Sequence, residues 1–271
     1  MEIKKEISRL CNCRNSAEIL EYLGLKGKNH VQYRKYSKLD HIKSNIKERA
    51  LYLSDGSDWN DEDDRTRRGV VFSTCFSYAI TENIALWMLY GGNGGKTGAM
   101  VSFSKKQMHN ILETETIELL AKTENGMFVH LQTIPKVGFD IEIRDILYYS
   151  KVKSKTVNKE KIDNGKEEKY LITRAEEHSC IDKQVYNELT GYLKDYAWSY
   201  EKETRMIVTL KGEYKDCIRR HPGKKLFVKI STGEIKTGEA EAGGQVYKSP
   251  VAAYQENYIS SNLHVDWDIT E

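Results

Sequence analysis

The chain has 271 residues, with 42 Lys and Arg against 40 Asp and Glu and a formal charge of +2. That length supports one large domain or two small ones, and the charge balance excludes a strongly basic nucleic-acid wrapper while leaving local basic patches open. Three Pro, 19 Gly and a mean hydropathy of −0.63 argue against low complexity, and no segment approaches the ~18 apolar residues of a membrane span.

Ile3, Ile7, Leu10 and Cys11 recur at helical spacing. Ser16 is then expected to cap a short helix that Gly24 ends. A strand is predicted around Val31–Tyr36 and a helix over 38–50. Leu51-Tyr-Leu-Ser follows, then a polar turn from Asp55 to Asp64. Residues 70–76 are apolar and β-branched and predict a strand. Thr81 can cap a helix with Ile84, Trp87 and Met88 on one side, stopped by Gly91-Gly-Asn-Gly-Gly95, and Gly98–Phe103 reads as another strand. Two strands are expected in 126–149, a solvated Lys-rich loop from Lys151 to Lys169, and helix over 170–195 with a break near His178–Asp182. Trp198–Leu210 and Lys225–Ile230 read as strands, and the tail from Val251 as an edge strand. The pattern predicts an α+β fold.

Five Cys without a C-x-x-C pair support neither a disulfide framework nor a zinc ribbon. The N-terminal Met1-Glu-Ile-Lys-Lys-Glu6 has no apolar signal core, so a cytoplasmic protein contacting no membrane is expected. The acidic turn Asp58–Asp64 suits a divalent cation in residue type but not in spacing, and three Arg follow it; a salt-bridged turn explains it more simply. Gly-Gly-Asn-Gly-Gly-Lys-Thr lacks phosphate-loop spacing.

The informative stretch is Trp198-Ser-Tyr-Glu-Lys-Glu-Thr-Arg-Met-Ile-Val-Thr-Leu210. Strand alternation sends Met206, Val208 and Leu210 to the core, with Glu201, Glu203 and Arg205 on the opposite face. Two carboxylates so close repel unless a cation joins them. Either Arg205 neutralises them on an exposed face, or they form a catalytic Glu-x-Glu pair. On 72–77, Phe72 and Phe76 share one face and Ser73, Cys75 and Ser77 the other, where small hydroxyls leave room for a ligand or pack under the next helix.

These pieces resemble a bacterial domain-of-unknown-function family, number 2971, often found in mobile or defence neighbourhoods. The matching motifs are Lys35-Tyr36, Leu51-Tyr-Leu-Ser with Trp59-Asn60-Asp61, Phe72-Ser-Thr-Cys-Phe-Ser77, Trp87-x-x-Tyr90, Gly98–Phe103 and Trp198-x-x-Glu201-x-Glu203-x-Arg205. Their layout is similar to that of the ADP-ribosyltransferase superfamily: a basic residue on the first strand, a Ser-Thr motif on a second, a helix, and a late Glu-x-Glu. The resemblance implies an ADP-ribosyltransferase-like split β-sheet core flanked by helices over 31–210, after an N-terminal helical segment (1–30) and before a strand-rich C-terminal extension packed on the core (211–271).

It further implies NAD as substrate, Glu203 as the catalytic carboxylate and Glu201 acting toward the acceptor. Arg34 or Lys35 would supply the cation, Ser73 would hold the geometry, and Tyr36, Trp87 and Tyr90 would line the NAD cleft. The acceptor would be a nucleic acid or a protein, and a toxin or phage-defence effector would carry an antitoxin or other neutralising partner. Two other functions fit the same residues: a metal-dependent nuclease using Asp61, Asp63, Asp64 and the Glu pair, and a non-catalytic sensor module.

Overall fold

The strand β3 (Val71–Ser77) is the point on which the sheet converges. The computed structural model describes residues 15–56, 70–152, 169–174, 177–181, 183–233 and 245–248. Before β3 come α1 (Ser16–Gly27), β1 (Gln32–Lys38), α2 (Leu39–Lys47) and β2 (Ala50–Ser54). After it come α3 (Ile84–Tyr90), β4 (Gly98–Ser104), α4 (Lys105–Leu112), β5 (Thr116–Lys122), β6 (Phe128–Pro135), β7 (Phe139–Asp145) and β8 (Leu147–Val152). Then follow β9 (Lys169–Arg174), β10 (Glu177–Ile181), α5 (Lys183–Glu188), β11 (Leu193–Asp195), a 3₁₀ turn at Tyr196–Glu201, β12 (Glu203–Leu210), α6 (Cys217–Arg220), β13 (Lys225–Ser231) and β14 (Gln245–Lys248).

The protein is a mixed α+β fold built on a large antiparallel sheet flanked by helices. The strand order is β14-β4-β1-β3-β2-β13-β5-β6, with β12 paired to β3 and β7 paired to β12. β3 and β12 pair from Glu203↔Ser77 to Thr209↔Val71. On its other edge β3 meets β1 only at Arg34↔Ser77 and β2 only at Ser54↔Ser73. Residues 74–76 therefore have a ladder neighbour on one side alone, and the two halves of the sheet part there. A smaller sheet, β10-β9-β8-β11, stands apart, with β11 parallel to β8.

The main core gathers one sheet face under α2 and α4, with Ile42, Leu51, Phe72, Met108, Met206 and Val228 all buried. Met206, Val208 and Leu210 lie in this core as their alternation predicts. Two smaller clusters fill the other side. Ile19 and Leu23 of α1 pack on Leu147, Tyr149, Leu189 and Leu193. Leu86 and Trp87 of α3 pack on Tyr36 and Met100. β12 is thus covered on both faces, and Glu203 and Arg205 are buried rather than exposed.

Several expectations change. α1 is capped by Asn15, whose side chain accepts from the Glu18 N–H, and it runs past Gly24 to Gly27. Asn83, not Thr81, caps α3, and Ile84 and Met88 face outward while Leu86 and Trp87 are buried. Residues 170–195 are not one helix: β9 and β10 form a hairpin, because an antiparallel partner satisfies their backbone better than a lone helical turn. Residues 126–149 hold β6, β7 and the start of β8, and 105–122 hold a helix and strand that the sequence did not announce. Ser104 and Gln107 form the capping box that opens α4. Part of the expected C-terminal extension, β13, runs inside the main sheet between β2 and β5. The first predicted helix, the acidic turn at 58–64, most of the Lys-rich loop and the final edge strand lie outside the described residues. No helix among the described residues is long and apolar enough to cross a membrane.

α1 sits tightly on β7. A Cβ on Gly27 would lie 2.6 Å from the Ile143 carbonyl oxygen and 2.9 Å from the Arg144 Cα. Both are backbone atoms that cannot swing away. Gly27→Ala is expected to lower the unfolding free energy by about 1–3 kcal/mol. Gly24→Ala, whose nearest neighbour is the Arg144 side chain at 3.4 Å, is expected to be within ~1 kcal/mol of wild type because helix propensity offsets the contact. Urea denaturation of the two variants checks the contrast.

Candidate functional site

Where β1 and β2 leave β3, a cleft of about 1080 Å³ opens, with Arg34, Lys35, Ser73, Tyr90, Glu201 and Glu203 among its lining. The two glutamates arrive by different routes. Glu203 begins β12, but Glu201 ends the 3₁₀ turn, and Lys202 between them is left-handed at φ 45°. That reversal turns both carboxylates toward Lys194 of β11. The Lys194 ammonium donates to Glu201 Oε2 at 2.5 Å and to Glu203 Oε2 at 3.0 Å.

Arg205 completes the array. Its Nε and Nη2 lie 2.8 and 2.7 Å from Glu203 Oε1, and its Nη1 donates to the Gly191 carbonyl at 2.7 Å. The Tyr90 hydroxyl donates to Glu201 Oε1 at 2.6 Å. The Glu203 N–H donates to the Tyr148 hydroxyl at 2.8 Å, and the Ser77 hydroxyl donates to the Glu201 carbonyl at 2.7 Å. Lys194 and Tyr148 are register partners of β11 and β8, so the smaller sheet delivers both to the end of β12.

Two acids and two bases are thus buried together. Burial alone would raise the Glu203 carboxyl, but Arg205 and Lys194 outweigh it and hold the pKa at about 2. At Glu201 burial wins over Lys194, with Glu203 adding to it, and the carboxyl sits above the usual range. Burial would lower Lys194, but the two carboxylates keep it charged, above the usual lysine range. Burial and the Glu201 carboxylate push the Tyr90 phenol upward, so it stays a donor. Cys75 is held as a thiol, first by burial and then by the charge of Glu203.

The cation left open by the sequence has two parts. The Lys35 ammonium donates to Thr74 Oγ1 at 2.5 Å and stands 5.8 Å from the Phe76 ring. Arg34 is half-buried beside the Tyr36 hydroxyl, and its Nε and Nη1 are shielded without a hydrogen-bond partner. The Ser73 hydroxyl, 2% exposed, also lacks a partner. Buried donors in that state need a ligand or solvent to satisfy them.

Six of the seven predicted residues (Glu203, Glu201, Arg34, Tyr36, Ser73 and Tyr90) line one cleft. Trp87 does not: it is fully buried behind Tyr36, the rings edge to face at 5.0 Å. Lys194 and Tyr148 are site residues that sequence reasoning missed. Lys194 lies in a three-residue strand within a stretch expected to be helical, and no spacing marks it. No group of three or more His, Cys, Asp or Glu among the described residues could hold a metal ion, and both site carboxylates are already bonded to cations.

Fold and site define a mixed α+β protein whose split sheet ends in a buried acid–base array. Residues 86–206, which carry most of α3, β11 and the Glu-x-Glu segment, match the model of a family described as a protein of unknown function (DUF2971). The match supports the resemblance to that family. No curated protein and no solved structure matches the chain.

Glu203 titrates below its ordinary 4.5 in the folded protein. Its contribution to stability is therefore full above about pH 4.5 and is lost as the pH falls toward about 2. The gap in unfolding free energy between wild type and Glu203→Gln is expected to shrink over that window, read from urea melts at each pH. Lys194→Met is expected to cost about 3–5 kcal/mol at pH 7, because it strands buried carboxylates.

Proposed function

We propose that the protein is an NAD-dependent ADP-ribosyltransferase, with the ADP-ribosyltransferase-like split-sheet core that its motif layout implies. The observation that carries this reading is one cleft with unpartnered Arg34 donors on one strand and the ionised Glu203 array on another. The cleft's charge agrees with an anionic dinucleotide, since its lining includes seven Lys and Arg against four Glu. A family resemblance supplies no activity by itself; the side chains of the site do.

The chemistry needs few parts. Cleaving the nicotinamide–ribose bond sends the bonding electrons to nicotinamide, which leaves neutral, and positive charge develops at the ribose. A fixed carboxylate there stabilises the transition state, and Glu203 stays ionised at any ordinary pH. Arg34 Nε and Nη1 lie on different edges of the planar guanidinium, and each offers an N–H to an anionic group such as a pyrophosphate. The acceptor bonds to the ribose carbon and gives up its proton. Glu201, with a raised pKa and a hydroxyl donor fixed on one oxygen, suits that base role. The Tyr90 ring on the cleft wall offers a stacking surface, a role in which Trp87 is replaced.

The test follows nicotinamide release and label transfer from NAD, with acceptors sorted by nuclease or protease digestion. Glu203→Gln is expected to slow both by about 10²–10³ per folded molecule. Because Glu203 is buried against Arg205 and Lys194, the variant also loses stability, and the folded fraction is measured alongside. Glu201→Gln is expected to reduce transfer more than hydrolysis. Near-normal turnover by folded Glu203→Gln would contradict the proposal.

A further inference from the structure

The half-sheet β2-β13-β5-β6 has one face committed to the core and another that the core does not need. Leu51, Leu53, Leu119, Leu226, Val228 and Ile230 point inward and are buried. Alternation turns Tyr52, Lys225, Phe227, Lys229 and Lys122 to the opposite face, which lines the far end of the cleft. Lys122 pairs with Phe128 in register, and Lys225 pairs with Lys122.

This face is built of rings and cations. The half-sheet curls until Phe128 of β6 stacks on Tyr52 of β2, with centroids 4.8 Å apart and planes 10° apart. Phe128 also meets Phe227 edge to face at 5.1 Å. Lys122 stands 5.9 Å from the Phe128 ring and Lys225 5.2 Å from the Phe227 ring. Phe128 remains 38% exposed, and Met127 beside it 64%. Of the local acids, Glu48 and Glu118 face Lys229 at 3.5 and 3.8 Å, and Asp55 acts on Lys225. The His41 imidazole on the same cleft is held below its ordinary pKa, first by burial and then by Lys122, Lys38 and Lys35.

We propose that this face docks a single-stranded nucleic acid, with bases stacked on Phe128 and Phe227 and phosphates on Lys122 and Lys225. Rings of this kind accept any base because every base has a π-face, and neighbouring lysines neutralise the backbone. A duplex keeps its bases stacked inside and cannot offer them to rings within a cleft. An acidic peptide would use the cations and leave the rings idle. The face continues into the cleft that holds Glu201, so the docked strand is the acceptor; that last step rests on the proposed transferase function, while docking itself does not.

The test uses fluorescent oligonucleotides of about a dozen nucleotides, single-stranded and duplex, in anisotropy titrations without NAD. Single strands are expected to bind with strong salt dependence and duplexes far more weakly. Phe128→Ala is expected to weaken binding about 5- to 100-fold. Lys122→Gln is expected to weaken it and to flatten the slope of log affinity against log salt by about 1. Circular dichroism and a thermal melt establish that each variant is folded; if Phe128→Ala is not, Lys122→Gln decides alone. Absence of single-strand binding, equal affinity for duplex, indifference to Lys122→Gln, or equal competition by polyglutamate overturns the proposal. Because no NAD is present, a failure of the transferase function would leave this result standing, and strand docking could fail while NAD turnover persists.

Discussion

Four charged side chains buried against one another hold this structure's chemistry in position. Glu201, Lys194, Glu203 and Arg205 sum to no net charge, and each is nearly inaccessible to water. Taking such groups out of water costs several kcal/mol apiece, and only close pairing offsets it. The arrangement is therefore all or none: deleting one member leaves its partner's charge buried and unanswered. Well-packed apolar residues of similar volume are often as stable as such a cluster, so stability alone does not account for its charge. The array also fastens the small sheet to the large one, because Lys194 and Tyr148 belong to β11 and β8 while the glutamates flank the start of β12.

The cleft follows from how strands meet. β3 is paired along its full length with β12 but touches β1 and β2 at single register points near its two ends. The edge between those points faces space rather than another strand. Arg34 and Lys35 overlook that gap from β1, Ser73 and Thr74 from β3, and the glutamates close its end. The aromatic and lysine-bearing face of β13, β5 and β6 extends the same cavity, so the proposed dinucleotide and strand sites are two ends of one fold feature.

Much of this was legible in the sequence where local pattern and tertiary demand agree. The alternation of Met206, Val208 and Leu210 identified the core face of β12, and the β-branched run ending at Ser77 identified β3. Arg205 as the neutralising partner of the pair was half of the answer. Lys194 was the other half, and it was invisible because it reaches Glu203 through a parallel strand pairing that no local pattern encodes. Strand periodicity put Glu201 on β12, yet the left-handed Lys202 ends the strand before it. Trp87 carried a ring in the right motif, but helix phase buried it behind Tyr36 and left Tyr90 at the cleft. An exposed charged face was one of the two alternatives the strand pattern left open, because one strand in isolation has one buried side; β12 is covered on both, and Glu203 and Arg205 are buried.

Calorimetric titration tests most directly whether the cleft takes NAD through Arg34, as proposed. Wild-type protein is expected to bind NAD at a single saturable site. Folded Arg34→Gln, which loses the charged fork but keeps an amide, is expected to bind about 10- to 100-fold more weakly, the loss of one charge-assisted pair. No binding by wild type at millimolar NAD, or equal binding by Arg34→Gln, would contradict it.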